Sequence, residues 1–408
     1  MYKVKFLGGA QEVGRLGILI EEKGKRVLID YGVIPEKPPL YPLPPEKVDS
    51  IFVTHSHLDH IGALPIFYQD FNPNIFATDM TANSMRPMLR DSIKVMNLEG
   101  YPVRFTQDDI EKLYGNMTTV KYGETIEKDG FRITPQSAGH IPGSTMWRFE
   151  NSSSIMVTGD LYTSDSLLLK GAEAQKCDTL IVESTYAGKN HVDREAVRKS
   201  LRESIKEVIE GGGKVILPSF AMGRTQELVM SVYDLPYNIA TDGMGNLISN
   251  IYMHTPGYLR SDKGFRKALA NINEIKGRNM RETALDNDII ISTSGMLDGG
   301  PALGYIEKLL DDKKSAIFMT GYQVEGTNGR QLMETGTLNI AGAQVRPKMK
   351  VEFFDMSAHA GHDDLVTFIK QCNPDRIIFC HGEQREKMLE DLSNYEIILP
   401  MNGEEFSF

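Results

Sequence analysis

The sequence predicts an α/β protein in which one domain is inserted into another. Its 408 residues exceed what one hydrophobic core usually serves, so about two domains are expected. In the first part, short apolar runs end repeatedly in polar residues that can carry chemistry, a design common in layered α/β folds. From about residue 190, strands and amphipathic helices alternate, and no low-complexity linker separates this stretch from its flanks. The missing linker favours an insertion over two consecutive domains.

The first part of the chain is predicted to be rich in strands. Two of them form a hairpin over residues 22–25, and most of the later ones run into histidine or carboxylate residues. The predicted strands lie in KVKFLGG (3–9), GILIEE (17–22), KRVLIDYG (25–32), IFVTHSH (51–57), FRITPQSAGH (131–140), SIMVTGD (154–160) and TLIVEST (179–185). In IFVTHSH, a short apolar strand runs into a histidine loop. Function is therefore expected at the carboxyl-terminal tips of these strands.

The second part is predicted to alternate helix and strand, as in a second α/β domain. Its predicted helices are 194–211, which stops at three glycines, 223–235 and 304–312, and its strands are 214–220, 288–296 and 315–322. The remaining chain is predicted to form a helix at 363–372, a strand at 376–382 and a helix at 384–394.

The amino-acid composition indicates what kind of protein this is and which partners and compartment fit it. Apolar residues make up 41% and charged residues 25%, which is ordinary for a globular enzyme. The net charge of −10 counts against a broad nucleic-acid-binding face, so a nucleic acid would need a local basic cleft or metal ions. The three cysteines, Cys177, Cys372 and Cys380, form no CxxC pair, which fits a reducing compartment. Neither a signal peptide nor a membrane span is seen, so we expect a cytoplasmic protein with no membrane contact.

The stretch THSHLDHIG (54–62) has the spacing of a metal site. His55 and His57 are two residues apart, so on extended chain they point the same way and can bind one ion. Asp59 and His60 follow where the backbone turns and can face a second ion. Imidazole suits zinc, and a carboxylate completes a site with a position open for water. The alternative is a polar surface loop.

Ligands from elsewhere are needed to complete two sites. His140 is a third nitrogen for the first ion, Asp160 is a bridging carboxylate, and His381 is a nitrogen for the second ion. A C-terminal strand that returns to the first domain would bring His381 there. The alternatives are a hydrogen-bonded loop histidine, an aspartate that caps a turn and a core histidine at a strand end.

Glu183 and His359 are predicted to act as a catalytic pair. A carboxylate beside a histidine fixes its tautomer and raises its pKa, so the histidine can donate a proton to a leaving oxygen. His362 is an alternative to His359, but we expect it to begin the helix that follows. His191 and His254 have no metal-like neighbours, and we expect both to be solvated.

These motifs resemble the β-CASP branch of the metallo-β-lactamase superfamily. HSHLDH, His140 and Asp160 are similar to the metal motifs, and VESTY, SAHA and FCHGE are similar to the three further motifs of the branch. LGGAQEVGR (7–15), SFAMGRTQELV (219–229), STSGML with its following glycines (292–301) and GYQVEGTNGR (321–330) are similar to the nuclease subunit of the cleavage and polyadenylation specificity factor and its short archaeal and bacterial relatives. The chain begins at the first strand, so we expect the form without KH domains.

The resemblance implies a fold and a set of roles. The fold is a metallo-β-lactamase αββα sandwich at 1–187, closed by 358–408, with an inserted α/β β-CASP domain at 188–357. Two Zn²⁺ per chain, with Mn²⁺ as a substitute, would be held by His55, His57 and His140 and by Asp59, His60 and His381, with Asp160 bridging. Glu183 and His359, with Asp59, would be catalytic. A histidine at the position of His381 goes with RNA rather than DNA as the substrate.

The implied reaction is hydrolysis of single-stranded RNA by a metal-activated hydroxide, which leaves a 5′-phosphate and a 3′-hydroxyl. The substrate is expected in a cleft between the domains. Candidate contacts to it are Arg224, Ser294, Gly295, Arg330 and Ser357, and the alternative for these is ordinary helix, turn or surface positions.

Several alternatives stay open on the sequence. The enzyme could cut internally, from the 5′ end, or both, and it could act as a homodimer or in a larger RNA-processing assembly. Rival functions are a non-RNA metallo-hydrolase of the same fold, a DNA nuclease and a non-catalytic subunit of an RNA-processing complex.

Overall fold

A computed structural model describes residues 2–408 of the protein, and the chain divides into two compact units. The first unit runs to Asp165 and resumes over Lys170–Asn190 and Ala358–Phe408. The second unit comprises Ser166–Leu169 and His191–Ser357. The first unit is therefore built from chain on both sides of the second.

Two seven-stranded sheets form the first unit. The first sheet contains β1 (Tyr2–Gly8), β2 (Gly17–Glu22), β3 (Lys25–Ile29), β4 (Ser50–Phe52), β5 (Asn74–Thr78), β6 (Met117–Val120) and β22 (Glu405–Ser407), in the spatial order β22-β1-β2-β3-β4-β5-β6. The second contains β7 (Ile126–Lys128), β8 (Phe131–Ser137), β9 (Thr145–Glu150), β10 (Ser154–Val157), β11 (Thr179–Glu183), β20 (Arg376–Cys380) and β21 (Glu396–Ile398), in the order β21-β20-β11-β10-β9-β8-β7. The predicted hairpin between β2 and β3 is confirmed.

The two sheets face each other across one apolar core. Successive side chains of a strand point to opposite faces, and Val4 and Phe6 of β1 share a buried cluster with Trp147 and Phe149 of β9. The ring of Phe52 packs edge-on against both Trp147 and Phe149 with centroids 5.1 Å apart. The opposite faces of the sheets pack against helices in two further clusters, so the layers are helix, sheet, sheet, helix.

The helices of the first unit are α1 (Leu58–Ile61), α2 (Phe67–Asp70), α3 (Asp79–Glu99), α4 (Gln107–Gly115) and α12 (His362–Cys372), with a 3₁₀ turn at Leu64–Ile66. The 21-residue α3 is absent from the sequence prediction. Capping residues define both ends of this helix. At the N-terminus the Thr78 side chain accepts from the Thr81 N–H, and at the C-terminus Gly100 ends the helix with φ 75°. Pro87 lies inside the helix, where proline usually breaks a helix interior, so the local sequence argues against a helix here.

The pairing of β20 explains how the end of the chain reaches the earlier motifs. β11 pairs in parallel with β10 on one side and with β20 on the other, and Glu183 lies opposite Cys380. The carboxyl ends of these three strands therefore lie at one edge of the sheet. His381, directly after β20, is brought beside residues that precede it by about 200 positions.

The second unit contains one six-stranded parallel sheet. Its strands are β12 (Val215–Pro218), β13 (Ile239–Asp242), β14 (Asn273–Ile275), β15 (Ile289–Ser292), β16 (Ala316–Met319) and β19 (Lys350–Phe353), in the order β14-β13-β15-β12-β16-β19, and β17 (Leu338–Ile340) and β18 (Ala343–Val345) form a separate hairpin. Its helices are α5 (Arg194–Glu210), α6 (Arg224–Val232), α7 (Met244–His254), α8 (Asp262–Leu269), α9 (Arg281–Ala284), α10 (Gly300–Lys308) and α11 (Asn328–Thr335), with a 3₁₀ turn at Arg278–Met280. Apolar clusters cover both faces of the sheet, as parallel sheets require.

The short apolar strand predicted to run into a histidine loop within 51–57 is confirmed, because β4 ends at Phe52 and the histidine residues follow in a loop before α1. One sequence prediction of secondary structure is wrong. The helix predicted over 384–394 is reduced to a 3₁₀ turn at Arg385–Met388. Arg385 explains why the helix is shortened. Its buried guanidinium donates to the carbonyl groups of Phe379 and Pro400, and these tertiary contacts override helix propensity. Within residues 2–408, no helix is long and apolar enough to cross a bilayer.

Candidate metal centre

The predicted metal and catalytic residues meet at one edge of the first unit. His55, His57, Asp59 and His60 follow β4, and the other side chains end or follow a strand of the second sheet or precede α12. Those others are His140, Asp160, Glu183, His359 and His381. The structure brings every one of these nine residues into four overlapping groups whose donor atoms lie within 4.8 Å of one another.

One group surrounds the Oδ2 atom of Asp160. Nε2 of His55 lies 3.4 Å from this atom and Nε2 of His140 lies 3.5 Å from it. Nδ1 of His57 is 3.1 Å from Nε2 of His55 and 3.2 Å from Nε2 of His140. Three imidazole nitrogens and one carboxylate oxygen therefore face a common point.

A second group surrounds the other oxygen of the same carboxylate. Nε2 of His60 and Nδ1 of His381 lie 3.1 Å and 3.5 Å from Oδ1 of Asp160. Oδ2 of Asp59 lies 3.8 Å from Nε2 of His60 and 3.5 Å from Nε2 of His381. Asp160 thus lies between two donor groups, with one oxygen directed to each.

The donor atoms fit divalent metal ions. Ligand atoms at about 2.0–2.1 Å from a tetrahedral zinc ion lie about 3.3 Å apart, close to the spacings found here. Nε2 of His60 and Oδ1 of Asp160 are buried, and neither makes a hydrogen bond. A buried polar atom without a hydrogen bond costs free energy, so these two atoms fit a site that binds a cation.

Neighbouring groups orient the histidine residues. Asp30, fully buried after β3, accepts from Nδ1 of His60 at 2.7 Å and from the N–H and hydroxyl of Thr54 at 2.7 and 2.6 Å. Nδ1 of His140 donates to the Ala358 carbonyl at 2.7 Å. Because the Nδ1 atoms carry the protons, the Nε2 lone pairs of His60 and His140 face Asp160.

Asp30 and Thr54 are functional neighbours that sequence reasoning missed. Asp30 ends the apolar run VLID, which is the same pattern that singled out Asp160 and Glu183. Its φ of 57° is rare for a residue other than glycine and places the carboxylate beneath the histidine loop. The same pattern could therefore have identified Asp30 as a site residue, but nothing in the sequence indicates that it contacts His60.

Nearby carboxylates and burial have opposite effects on the histidine pKa values in the cluster. Burial lowers the pKa values of His55 and His140 well below the usual range for histidine. Burial would also lower the pKa of His60, but the carboxylates of Asp160, Asp59 and Asp30 outweigh it and raise this pKa. The cluster thus combines neutral imidazoles with carboxylates that attract positive charge.

Glu183 and His359 form the predicted pair. Nδ1 of His359 donates to the carboxylate of Glu183, with distances of 2.9 and 3.1 Å to its two oxygens. Backbone N–H groups of Leu161 and Thr185 hold the same carboxylate from behind at 2.7 and 3.2 Å. Nε2 of His359 points toward Oδ2 of Asp160 at 3.8 Å. Burial opposes charge on His359, but Glu183 and Asp160 raise its pKa to about 9.

Two other histidines of the predictions, His362 and His191, differ in outcome. His362 begins α12, as predicted; its ring accepts from the Gly188 N–H and contacts Asp391. His191, predicted to be solvated, is largely buried and pairs with Asp355 at 2.9 Å, so that prediction is wrong. A carboxylate partner far away in the sequence explains the difference.

The predicted substrate contacts all lie in the second unit. Arg224 is the first residue of α6, Arg330 lies on α11 with its guanidinium 2.5 Å from Glu334, and Ser294 and Gly295 follow β15. Ser357 is buried, and its carbonyl accepts from Arg194. Their role toward a substrate stays a prediction.

Family models match most of the chain. A metallo-β-lactamase superfamily domain matches residues 19–184, a β-CASP domain matches 222–332, and a Zn-dependent metallo-hydrolase RNA specificity domain matches 344–395. The first match covers the histidine cluster and Asp160, and the last covers His359 and His381. Divalent metal binding is implied by this superfamily, and the clustered histidine and aspartate side chains supply the donors.

Relatives are similar over nearly the full length of this chain. A probable RNase MJ4 of Methanocaldococcus jannaschii is 34% identical, over 94% of this chain and 93% of the relative. An RNase aCSPSF2 of Saccharolobus solfataricus is 35% identical, over 100% of this chain and 85% of the relative. The transcription termination factor FttA of Methanocaldococcus jannaschii is 31% identical, over 98% and 70% of the two chains.

A solved structure supports the fold. The crystal structure of a protein of unknown function from Enterococcus faecalis V583 aligns over 99% of both chains with a TM-score of 0.65 and 14% identity, a likeness in fold alone. The fold class predicted from the sequence, a metallo-β-lactamase domain with an inserted β-CASP domain, is confirmed by the family matches. The chain belongs to the β-CASP family of metallo-β-lactamase-fold metallo-hydrolases, as its motifs predicted.

Proposed function

We propose that this protein is a metal-dependent ribonuclease that hydrolyses phosphodiester bonds in single-stranded RNA. One observation carries the proposal: the Asp160 carboxylate directs one oxygen to each of two donor groups, and the Glu183–His359 pair lies against it. The names of the relatives, two of them RNases, support RNA as the substrate class.

The donors would hold two zinc ions, one by His55, His57 and His140 and one by Asp59, His60 and His381. Asp160 would bridge them. When bound, a pair of such ions supplies a hydroxide nucleophile near neutral pH and neutralises charge on the phosphate. Manganese, which accepts the same nitrogen and oxygen donors, would substitute for zinc.

The protein's own residues orient the attack and complete it. Asp59, whose Oδ2 lies 3.5 Å from Nε2 of His381 and 3.8 Å from Nε2 of His60, would orient the attacking water. His359 would donate the proton from Nε2 to the departing 3′ oxygen, because its Nδ1 is held by Glu183. The products would carry a 5′-phosphate and a 3′-hydroxyl. No step uses a 2′-hydroxyl, so the preference for RNA must come from binding.

A comparison of circular and linear RNA tests the function. Purified protein is incubated with a single-stranded RNA circle and with a linear, 5′-monophosphorylated copy, and zinc is counted by mass spectrometry. We expect the circle to open, which marks an endonuclease, and shortening of the linear copy from its 5′ end would add 5′→3′ exonuclease activity. Products are expected to be degraded by a nuclease that requires a 5′-phosphate.

Two variants make the test specific. Asp59→Ala with His60→Ala removes two donors and should abolish both activities and lower the zinc content. His254→Ala is the matched control, because His254 is exposed on α7 and its Nδ1 bonds only to the Asn250 carbonyl. Intact RNA in the presence of two zinc ions, with hydrolysis of a thioester or lactam instead, would refute the ribonuclease and favour the non-RNA hydrolase. Two bound zinc ions without any hydrolysis would favour a non-catalytic subunit.

A further inference from the structure

The strand β19 forms one edge of the six-stranded sheet of the second unit. On its inner side it pairs with β16 in parallel, from Ala316 opposite Lys350 to Met319 opposite Phe353. The N–H groups of Lys350 and Phe354 donate inward to the carbonyls of Ser315 and Met319 at 3.0 and 2.8 Å. Alternate residues of a strand direct their backbone groups to opposite sides. Val351 and Phe353 therefore direct theirs outward.

The outer side of β19 is open. Over residues 2–408, no backbone or side-chain group bonds to the N–H or carbonyl of Val351 or Phe353. Natural sheet edges are often protected by short length, proline, a bulge or charge, especially lysine. β19 is short and contains Lys350, but Glu352 offsets the charge of Lys350 at 3.1 Å. The strand has neither proline nor bulge, and its Phe353 side chain is 45% exposed. At the opposite edge, β14 exposes Asn273 and Glu274 instead. The β19 edge thus resembles a strand that pairs with another chain.

The charges of β19 are self-complementary in one antiparallel register. Lys350 and Glu352 lie on the same face, with Nζ and Oε1 3.1 Å apart. A twofold axis at Val351 would place Lys350 of each copy opposite Glu352 of the other. The two neighbouring registers that also match outward backbone groups would place Lys350 opposite Lys350 or Glu352 opposite Glu352. Like charges directly opposite destabilise a strand pair, so the sequence of β19 selects the first register.

We propose that two copies of this chain associate through β19, in antiparallel pairing centred on Val351. The two Val351 residues would exchange a pair of N–H to carbonyl hydrogen bonds. Each Lys350 would contact Glu352 of the second copy. The two six-stranded sheets would then continue as one sheet across the twofold axis. This association is independent of the nuclease activity proposed above.

Sedimentation velocity tests the proposal over protein concentrations from nanomolar to high micromolar. The wild-type chain is expected to show a reversible monomer–dimer equilibrium. Val351→Pro removes the outward N–H, which β16 does not use, and should raise the dissociation constant on the order of a hundredfold. Val351→Ala keeps the N–H and is the matched control, which should still form the dimer.

A mixture of the two single charge reversals separates the interface from the stability of the monomer. Lys350→Glu alone or Glu352→Lys alone should weaken the dimer on the order of tenfold, because like charges then face each other between the copies. Each single variant also loses its own contact between residues 350 and 352. In an equimolar mixture of the two variants, opposite charges arise only between the two chains, so recovery of the dimer reports on the second copy. A wild-type protein that stays monomeric at all concentrations would overturn the proposal. A dimer that Val351→Pro and the single charge reversals leave unchanged would also overturn it.

Discussion

Asp30→Asn tests how far the buried carboxylate controls the metal site without touching a metal ion. Oδ1 of Asp30 accepts from the Thr54 N–H at 2.7 Å, a group that can only donate. The asparagine oxygen must therefore take that place, and its NH₂ group must face His60, where Oδ2 now accepts from Nδ1 at 2.7 Å. Two donors cannot face each other, so His60 would shift its proton to Nε2. That atom lies 3.1 Å from Asp160 and could then no longer bind a metal ion.

The size of the effect follows from this change of tautomer. Loss of a partner that orients a metal-binding histidine typically costs about 10- to 100-fold in metal affinity, or about 1.4–2.8 kcal/mol. We expect a loss in this range for the more weakly bound zinc ion, measured by competition with a chromophoric chelator. RNA cleavage at limiting zinc should fall in parallel and recover when zinc is added.

A matched control separates this effect from a general loss of stability. Asp178 also accepts two hydrogen bonds, from the N–H and hydroxyl of Ser154 at 2.7 and 2.9 Å, but it lies at the opposite end of β10 from Asp160. Asp178→Asn should leave zinc affinity unchanged. Unchanged zinc affinity in Asp30→Asn, with a folded protein by circular dichroism, would refute the argument.

Three further predictions follow from other contacts. Glu183→Gln should lower the rate of RNA cleavage by about 10²- to 10⁴-fold at full zinc occupancy, because His359 loses the carboxylate that orients it; an equal loss of zinc would contradict this role. Trp147→Ala should lower the free energy of unfolding by about 3–5 kcal/mol in urea titrations, because the side chain is fully buried between the sheets, and a loss below about 1 kcal/mol would contradict the packing. Burial raises the pKa of Tyr2 to about 12, so its neutral hydroxyl stabilises the fold below pH ~10, and this contribution, up to about 2–3 kcal/mol, is lost as the pH rises from ~10 to ~12. Tyr2→Phe should therefore lose less stability than the wild type between pH ~10 and ~12, and equal losses would contradict the assignment.

The sequence was informative where a residue's role depends on its neighbours in the chain. HSHLDH predicts a metal site by spacing alone, and His381 could be assigned because it ends an apolar strand. β20 then pairs in parallel with β11, and this pairing brings His381 to the site. Alternating strands and helices favour parallel pairing, but they do not specify which strands pair.

The sequence was less informative where tertiary contacts decide. Arg385 turns inward to two carbonyl groups and prevents the predicted helix, and His191 pairs with Asp355, 164 positions away. Within α3, Pro87 argues locally against a helix, and only the packing of the folded chain shows that the helix continues through it. Asp30 has the right pattern, but its importance depends on His60, which approaches only in the folded chain.

The pairing of β20 with β11 also has a consequence for protein synthesis. Thr179 and Arg376 are partners, so the second sheet of the first unit stays incomplete until the ribosome has made the whole second unit and β20. Until then the nascent chain lacks His359 and His381. A ribonuclease of the kind proposed above is made on a messenger RNA, and we expect this late assembly to keep the growing chain inert toward it. Stalled chains released after residue 350 should not cut RNA, and cleavage by such chains would show that the earlier donors suffice.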